Sequence, residues 1–247
     1  MSGGEVPLIA LPPALAPLLG ALEALTRPDL PDIAVVGGIA VNIRLSTVST
    51  AHRATQDIDV VAHAELPTAV EVLGRDHRRS REQTVVVDGI DIDVIETQPI
   101  TDDDLDGFDD ANRLFLAGHR WALDTAEPVR LVADGREVTV PVATPAGLVG
   151  AKSHAAGFGR PQRRATKHGA DLYDLFRLLE VFDAQGDVGR ALAAAPCGLG
   201  ALVVAVVRRE VLDAPARAGR EMAPSGGVTI ERLLDVFEPF VDVASGT

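Results

Sequence analysis

Cysteine is almost absent from this 247-residue chain. Cys197 stands alone, which excludes an intramolecular disulfide and fits a reducing, cytoplasmic setting with Cys197 as a small buried residue. Long apolar runs are missing as well. The apolar run Cys197 to Val207 stops at Arg208 and is too short to cross a bilayer, so no membrane association is expected. Basic charge is also scarce: 23 Lys plus Arg face 36 Asp plus Glu, a net charge of −13. That balance argues against a general nucleic-acid binder, whose surface is usually net basic. Neither a GxGxxG nor a GxxxxGK[ST] pattern occurs, leaving Rossmann and P-loop readings without support. His154 and His168 lie fourteen residues apart without further ligands, which is no zinc spacing, and no zinc is assigned. Ser-His-Asp and Cys-His catalysis likewise lack a local signature.

What is present is enough apolar sequence, 47%, to bury a full core as one large domain or two small ones. The apolar stretch Pro7–Leu25 has no basic leader and is interrupted by Pro12, Pro13 and Pro17, so it reads as a tail entering a core-packed helix rather than a signal peptide. Charge is unevenly placed. Between Ala151 and Ala170 there are five cations (Lys152, Arg160, Arg163, Arg164, Lys167), two histidines and no acid; between Thr101 and Asp110 there are six aspartates and no cation. The first segment can meet a polyanion locally even though the whole protein repels it.

The hydrophobic pattern changes period along the chain. Residues 13–26 read as a helix, Ile33–Val36 as a short strand, Gly37-Gly38 as the start of a helix reaching about Leu45, and Asp57–Ala62 as a strand. Pro67–Asp76 fits a helix. Thr84–Val87 and Ile90–Ile95 are joined by Asp88-Gly89, and Val129–Ala133 and Glu137–Val142 by Asp134-Gly135, both type I′ hairpin dipeptides. After Val142 the period becomes about 3.6, with Thr144-Pro145 opening a helix to about Ala156 and an apolar stripe Leu172, Leu175, Leu179, Phe182 on the next. Phe115 and Trp121 are expected to pack a helix. The fold class is α+β, with an N-terminal mixed sheet flanked by helices (residues 1–143) and a C-terminal helical half (residues 144–247).

Chemistry concentrates on the strands. Along Asp57-Ile58-Asp59 side chains alternate, so both carboxylates share one face about 6–7 Å apart while Ile58 and Val60 face the core. Asp91-Ile92-Asp93-Val94 repeats the alternation. If the two strands are neighbours, a third carboxylate joins the first two; either Asp91 or Asp93 can supply it, with Asp93 in the more apolar context. Such an oxygen-rich set suits Mg²⁺, and two metal ions bridged by carboxylates suit phosphoryl transfer. Gly37-Gly38 between strand and helix lets backbone N–H groups approach a phosphate. Read singly, the Asp-x-Asp pair is an exposed strand edge and the glycine pair a plain turn.

Together, Gly37-Gly38-Ile-Ala-Val, Arg53-Ala-Thr55-Gln-Asp57-Ile-Asp59 and Ile92-Asp93-Val94 resemble the DNA polymerase β-like nucleotidyltransferase superfamily, specifically the AbiEii/MenT-type nucleotidyltransferases. Lys152 in Leu148-Val-Gly-Ala-Lys152 and Asp171 in Lys167-His-Gly-Ala-Asp171-Leu-Tyr-Asp174 look like that family's helical lysine and aspartate, and the similarity covers roughly residues 33–180. One departure is Ile39, where the superfamily commonly has serine, so a serine contact to phosphate is missing.

The resemblance implies a nucleotidyltransferase-type sheet and a catalytic set of Asp57, Asp59, Asp93, Lys152 and Asp171. Asp57, Asp59 and Asp93 would bind Mg²⁺, as two ions, and Asp93 would help activate the acceptor. Gly37, Gly38, Arg53, Thr55 and Lys152 would hold the nucleotide, with NTP as co-substrate, and Asp171 would orient a neighbouring cation or the nucleotide. Lys152 and Asp171 read without it are a solvated helix residue and a helix N-terminal acid. The implied function is transfer of an NMP to an acceptor by the toxin of a toxin–antitoxin pair. The acceptor would be tRNA, met through Arg160, Arg163 and Arg164, and a cognate antitoxin would be the partner. An antibiotic or protein acceptor, or a non-catalytic binding module of the same fold, are the alternatives.

Overall fold

Asp-Gly dipeptides make two of the sheet's turns. Asp88 and Gly89 (φ 51° and 82°), and Asp134 and Gly135 (φ 50° and 75°), all adopt the left-handed conformation that a two-residue type I′ hairpin requires. The first joins β5 (Thr84–Val87) to β6 (Ile90–Thr97), the second β7 (Glu127–Ala133) to β8 (Arg136–Val142). The computed structural model describes residues 6–48, 55–159 and 167–246. Arg53, Arg160, Arg163 and Arg164, named from the sequence, lie outside them.

The described residues form two compact units. The first contains Met1–Gln98 and Ala122–Thr144, the second Pro99–Trp121 and Pro145–Thr247. The chain therefore crosses between them after Gln98, after Trp121 and after Thr144. The sequence suggested one division near Ala143; residues 99–121 in addition pack with the helices that follow Thr144.

The first unit is built on an eight-stranded mixed sheet in the order β1-β7-β8-β2-β3-β6-β5-β4. The remaining strands are β1 (Leu8–Ala10), β2 (Ile33–Val36), β3 (Asp57–His63) and β4 (Arg78–Arg81). β2 is buried along its whole length, as an uninterrupted apolar run should be in the middle of a sheet. It runs antiparallel to β3 and parallel to β8, while β3 runs parallel to β6. Residues 13–26, expected as one helix, form a short 3₁₀ turn at Ala16–Leu18 and α1 (Leu19–Ala24). α2 (Gly37–Leu45) leaves β2 directly, and every residue from Gly38 to Leu45 is buried. α3 (Ala69–Leu73) is capped by Thr68, whose hydroxyl accepts from the Glu71 N–H while the Glu71 carboxylate accepts from the Thr68 N–H.

Arg44, in the last turn of α2, is 9% exposed and does for this unit what no local pattern announces. Its guanidinium donates to the carbonyls of Val142 (2.8 Å) and Ala143 (2.9 Å) and pairs with Glu127 at 3.1 Å. Burial lowers its pKa from the ordinary arginine value, and Glu127 works in the opposite direction.

The second unit is helical: the first part of α4 (Asp110–Asp124), α5 (Pro145–Phe158), α6 (Gly169–Phe182), α7 (Asp187–Ala193), α8 (Leu199–Val207), α9 (Pro215–Met222) and α10 (Ile230–Ala244). Gly118 of α4 meets Gly150 of α5 backbone to backbone. A methyl at Gly118 would stand 2.9 Å from the Gly150 carbonyl oxygen, so α4 needs a residue without a side chain there. Beside this contact the rings of Phe115, His119 and His154 meet tilted or edge to face in the same interface. That packing is why residues 99–121 belong here. α10 buries Leu233, Phe237, Phe240 and Val241. Among the described residues no single helix is long and apolar enough to cross a membrane.

Candidate active site

The aspartates lie in the first unit, and strand register fixes their mutual position. In the parallel pair β3–β6, Asp57 stands beside Asp91 and Asp59 beside Asp93. Directly paired residues on neighbouring strands project to the same face, about 5 Å apart. All four carboxylates therefore occupy one face as two rungs, while Ile58, Val60, Ile92 and Val94 are buried on the other. Asp57 is exposed, and Asp59, Asp91 and Asp93 are half-buried. The alternative between Asp91 and Asp93 thus becomes one of rung: Asp93 accompanies Asp59, Asp91 accompanies Asp57.

Two hydroxyls orient these carboxylates. Thr84 of β5 is paired with Asp93 across the antiparallel β5–β6 ladder, is 3% exposed, and donates from Oγ1 to Asp93 Oδ1 at 2.5 Å. Thr55 donates from Oγ1 to Asp57 Oδ1 at 3.1 Å, so the threonine expected at a nucleotide is engaged with a carboxylate. The sequence offered Thr55 by its motif but gave no sign of Thr84, whose role appears only when β5 is aligned with β6.

Asp59 also faces the start of α2. Gly37, the first residue of that helix, has φ +67°, and a methyl there would lie 1.8 Å from Asp59 Oδ2 and 2.6 Å from its Cγ. Glycine is required twice over, by the left-handed backbone and by the carboxylate seated where a Cβ would be. The chain reverses at Gly37 and Gly38 so that the N-terminus of a nine-residue helix adjoins the Asp59–Asp93 rung. Such an end carries partial positive charge and backbone donors for an anion. Ile39 is completely buried, so at this position the helix presents backbone rather than a polar side chain.

An all-oxygen donor set on one face fits Mg²⁺. Among the described residues no three His, Cys, Asp or Glu side chains converge closely enough to hold a metal ion by themselves. Mg²⁺ needs no such cage; it ordinarily takes one or two carboxylates and completes its octahedron with substrate phosphate oxygens and water.

Lys152 and Asp171 lie in the second unit and are brought together. Lys152 Nζ sits 2.8 Å from Asp171 Oδ1 and 2.9 Å from Asp174 Oδ2, with all three residues buried. Burial alone would lower the lysine pKa; Asp174 and Asp171 outweigh it and raise the pKa above its usual value. Lys152 is a fixed, permanently charged centre rather than the solvated helix residue that position suggests in isolation. Asp174, noted in the sequence only as a neighbouring acid, is a full partner in this triad.

The chain matches no family model and no curated protein. Among solved structures it is similar to an antigenic nucleotidyltransferase-like protein from Paracoccidioides brasiliensis, with 15% identity and a TM-score of 0.43, covering 91% of this chain and 95% of that one.

Proposed function

We propose that the protein is a Mg²⁺-dependent nucleotidyltransferase that moves an NMP from an NTP to an acceptor hydroxyl. The observation that carries this reading is the pairing of Asp57 with Asp91 and Asp59 with Asp93 on one sheet face, with Asp59 against the N-terminus of α2 at Gly37. Of Asp57, Asp59 and Asp93, one or two at a time would hold a metal ion, which when bound neutralises phosphate charge and polarises the α-phosphate. The start of α2 would receive donor phosphates through its N–H groups. Asp93, held by Thr84 at one oxygen, would keep the other for metal or for the acceptor proton. In the transfer, the acceptor oxygen forms a bond to the α-phosphorus while the bond to the bridging oxygen breaks. Pyrophosphate leaves and the hydroxyl proton passes to a carboxylate or water.

The finer parts of the proposal come from the resemblance. Lys152 acts in NTP use, Asp171 and Asp174 hold it, the acceptor is tRNA, and the protein is a cytoplasmic toxin with a cognate antitoxin. Arg160, Arg163 and Arg164 meet the acceptor. The test is incubation of the purified protein with each labelled NTP, Mg²⁺ and total cellular RNA, alongside Asp57→Ala and Asp59→Ala. Label should move to one RNA fraction with the parent protein and with neither variant, while both variants keep its circular dichroism. Incorporation at the parent rate by both variants would remove the site.

A further inference from the structure

β4 is the last strand of the sheet, and its sequence is Arg-Arg-Ser-Arg, exposed throughout. Its register ties it to the aspartates. Arg78 pairs with Val86, Val86 with Asp91, and Asp91 with Asp57. Arg81 pairs with Thr84, Thr84 with Asp93, and Asp93 with Asp59. Each rung of carboxylates therefore continues, on the same face, to an arginine at the sheet edge. Strict alternation would not allow this for both, because residues three apart on a strand point to opposite faces. A register shift between Arg79 and Arg81 resolves it: Ser80 is the extra residue of a bulge, and Arg81 is turned onto the aspartate face. Arg79, paired with Val85 on the other face, donates instead to the Val70 carbonyl at 3.3 Å. Among the described residues neither Arg78 nor Arg81 forms an ion pair.

We propose that Arg78 and Arg81 form a phosphate track for the RNA acceptor of the nucleotidyl-transfer reading above, binding the phosphodiesters next to its 3′ end. The track rests on that reading. The sheet separates the two substrates: α2 and Gly37 lie on the β2 side of the aspartates, β4 on the other. With strands about 5 Å apart, β4 is about 10 Å from β6. An RNA whose terminal hydroxyl lies at Asp93 can lay the phosphodiesters of its last nucleotides over Arg78 and Arg81. In a protein of net charge −13 such a strip is also where a polyanion would be drawn.

The experiment needs no catalysis. Binding of a fluorescein-labelled single-stranded RNA with a free 3′ hydroxyl is followed by anisotropy across a salt series, using the full chain. Arg78→Gln/Arg81→Gln should weaken binding at least tenfold at low salt. The slope of log K against log salt should fall by about 1.4, at roughly 0.7 per phosphate contact on a single strand. Arg78→Lys/Arg81→Lys should keep the slope, and Arg79→Gln, which removes one charge on the opposite face, should bind as the parent does. The proposal is overturned if the double Gln variant keeps the parent slope or loses no more than Arg79→Gln. It is equally overturned if that variant merely dimerises by light scattering with unchanged RNA affinity, since charged edge strands also prevent edge-to-edge pairing. RNA bound through these arginines without NMP transfer would sink the enzymatic reading alone; transfer with unaltered RNA affinity in the double variant would sink the track alone.

Discussion

Gly37→Ala is the sharpest perturbation of the site, because one methyl strikes both the backbone and a carboxylate. Holding alanine at φ +67° costs about 1–2 kcal/mol. The methyl would also lie 1.8 Å from Asp59 Oδ2, where ordinary carbon–oxygen contact needs about 3.5 Å, so the carboxylate must retreat by about 1.5 Å or α2 must shift. The two effects together should lower stability by about 3 kcal/mol in urea unfolding. Because a displacement of about 1 Å at a reacting centre can cost roughly 100-fold in rate, nucleotide transfer should fall by at least that factor in molecules that remain folded. A double-mutant cycle separates the causes. In an Asp59→Ala background the oxygen and Cγ are gone and only the Cβ, 2.8 Å away, remains, so Gly37→Ala should there cost about 1 kcal/mol less. Additivity within about 0.5 kcal/mol would show that Asp59 does not sit against Gly37 and would refute the geometry of the site.

Asp93→Asn should lose most transfer activity and Asp91→Asn less, as measured by label incorporation, because Asp93 shares a rung with Asp59 and is fixed by Thr84. Lys152→Met should destabilise the protein by about 3–5 kcal/mol in urea at pH 7, since it leaves Asp171 and Asp174 as buried carboxylates without their cation. Adding Asp171→Asn and Asp174→Asn should recover part of that loss. His119, buried and donating from Nδ1 to the Phe115 carbonyl (2.7 Å), has its pKa lowered from 6.5 to about 4, chiefly by burial. A depressed histidine pKa means the unfolded chain binds the proton more tightly between those values, so stability is complete above about pH 6.5 and declines as pH falls towards 4. The protein should be about 2 kcal/mol less stable at pH 5 than at pH 7 from this group, and His119→Phe should flatten that part of the profile.

Those features of the fold that depend on neighbours in sequence were readable in advance. Alternation in Asp57-Ile-Asp59 and Asp91-Ile-Asp93 put the carboxylates on one face of each strand, and the two Asp-Gly pairs set the hairpins. Which strands lie side by side was not readable, because β3 and β6 are joined through β4 and β5 and their parallel pairing is a long-range choice. Thr84, Arg78 and Arg81 were invisible for the same reason: they matter only once β4 and β5 are aligned with β6. β1 looked like an apolar tail because three residues carry too little pattern to declare a strand; its parallel pairing with β7 supplies the missing information. Residues 99–121 were grouped with the sheet by order in the chain, whereas the Gly118–Gly150 contact places their helix with the second unit.

Arg44 gives α2 a mechanical connection as well as a structural one. The same helix that opens at Gly37 beside Asp59 ends by gripping the carbonyls of Val142 and Ala143, the last residues before the chain leaves the sheet for Pro145. Two charged hydrogen bonds, rather than a loop, tie the far end of α2 to that exit. The helix is thereby a rod pinned at its far end, with no side chain of its own at Gly37 or Gly38. Arg44→Lys, with a single ammonium in place of the forked donor, would leave that rod anchored at one carbonyl and free to pivot about it.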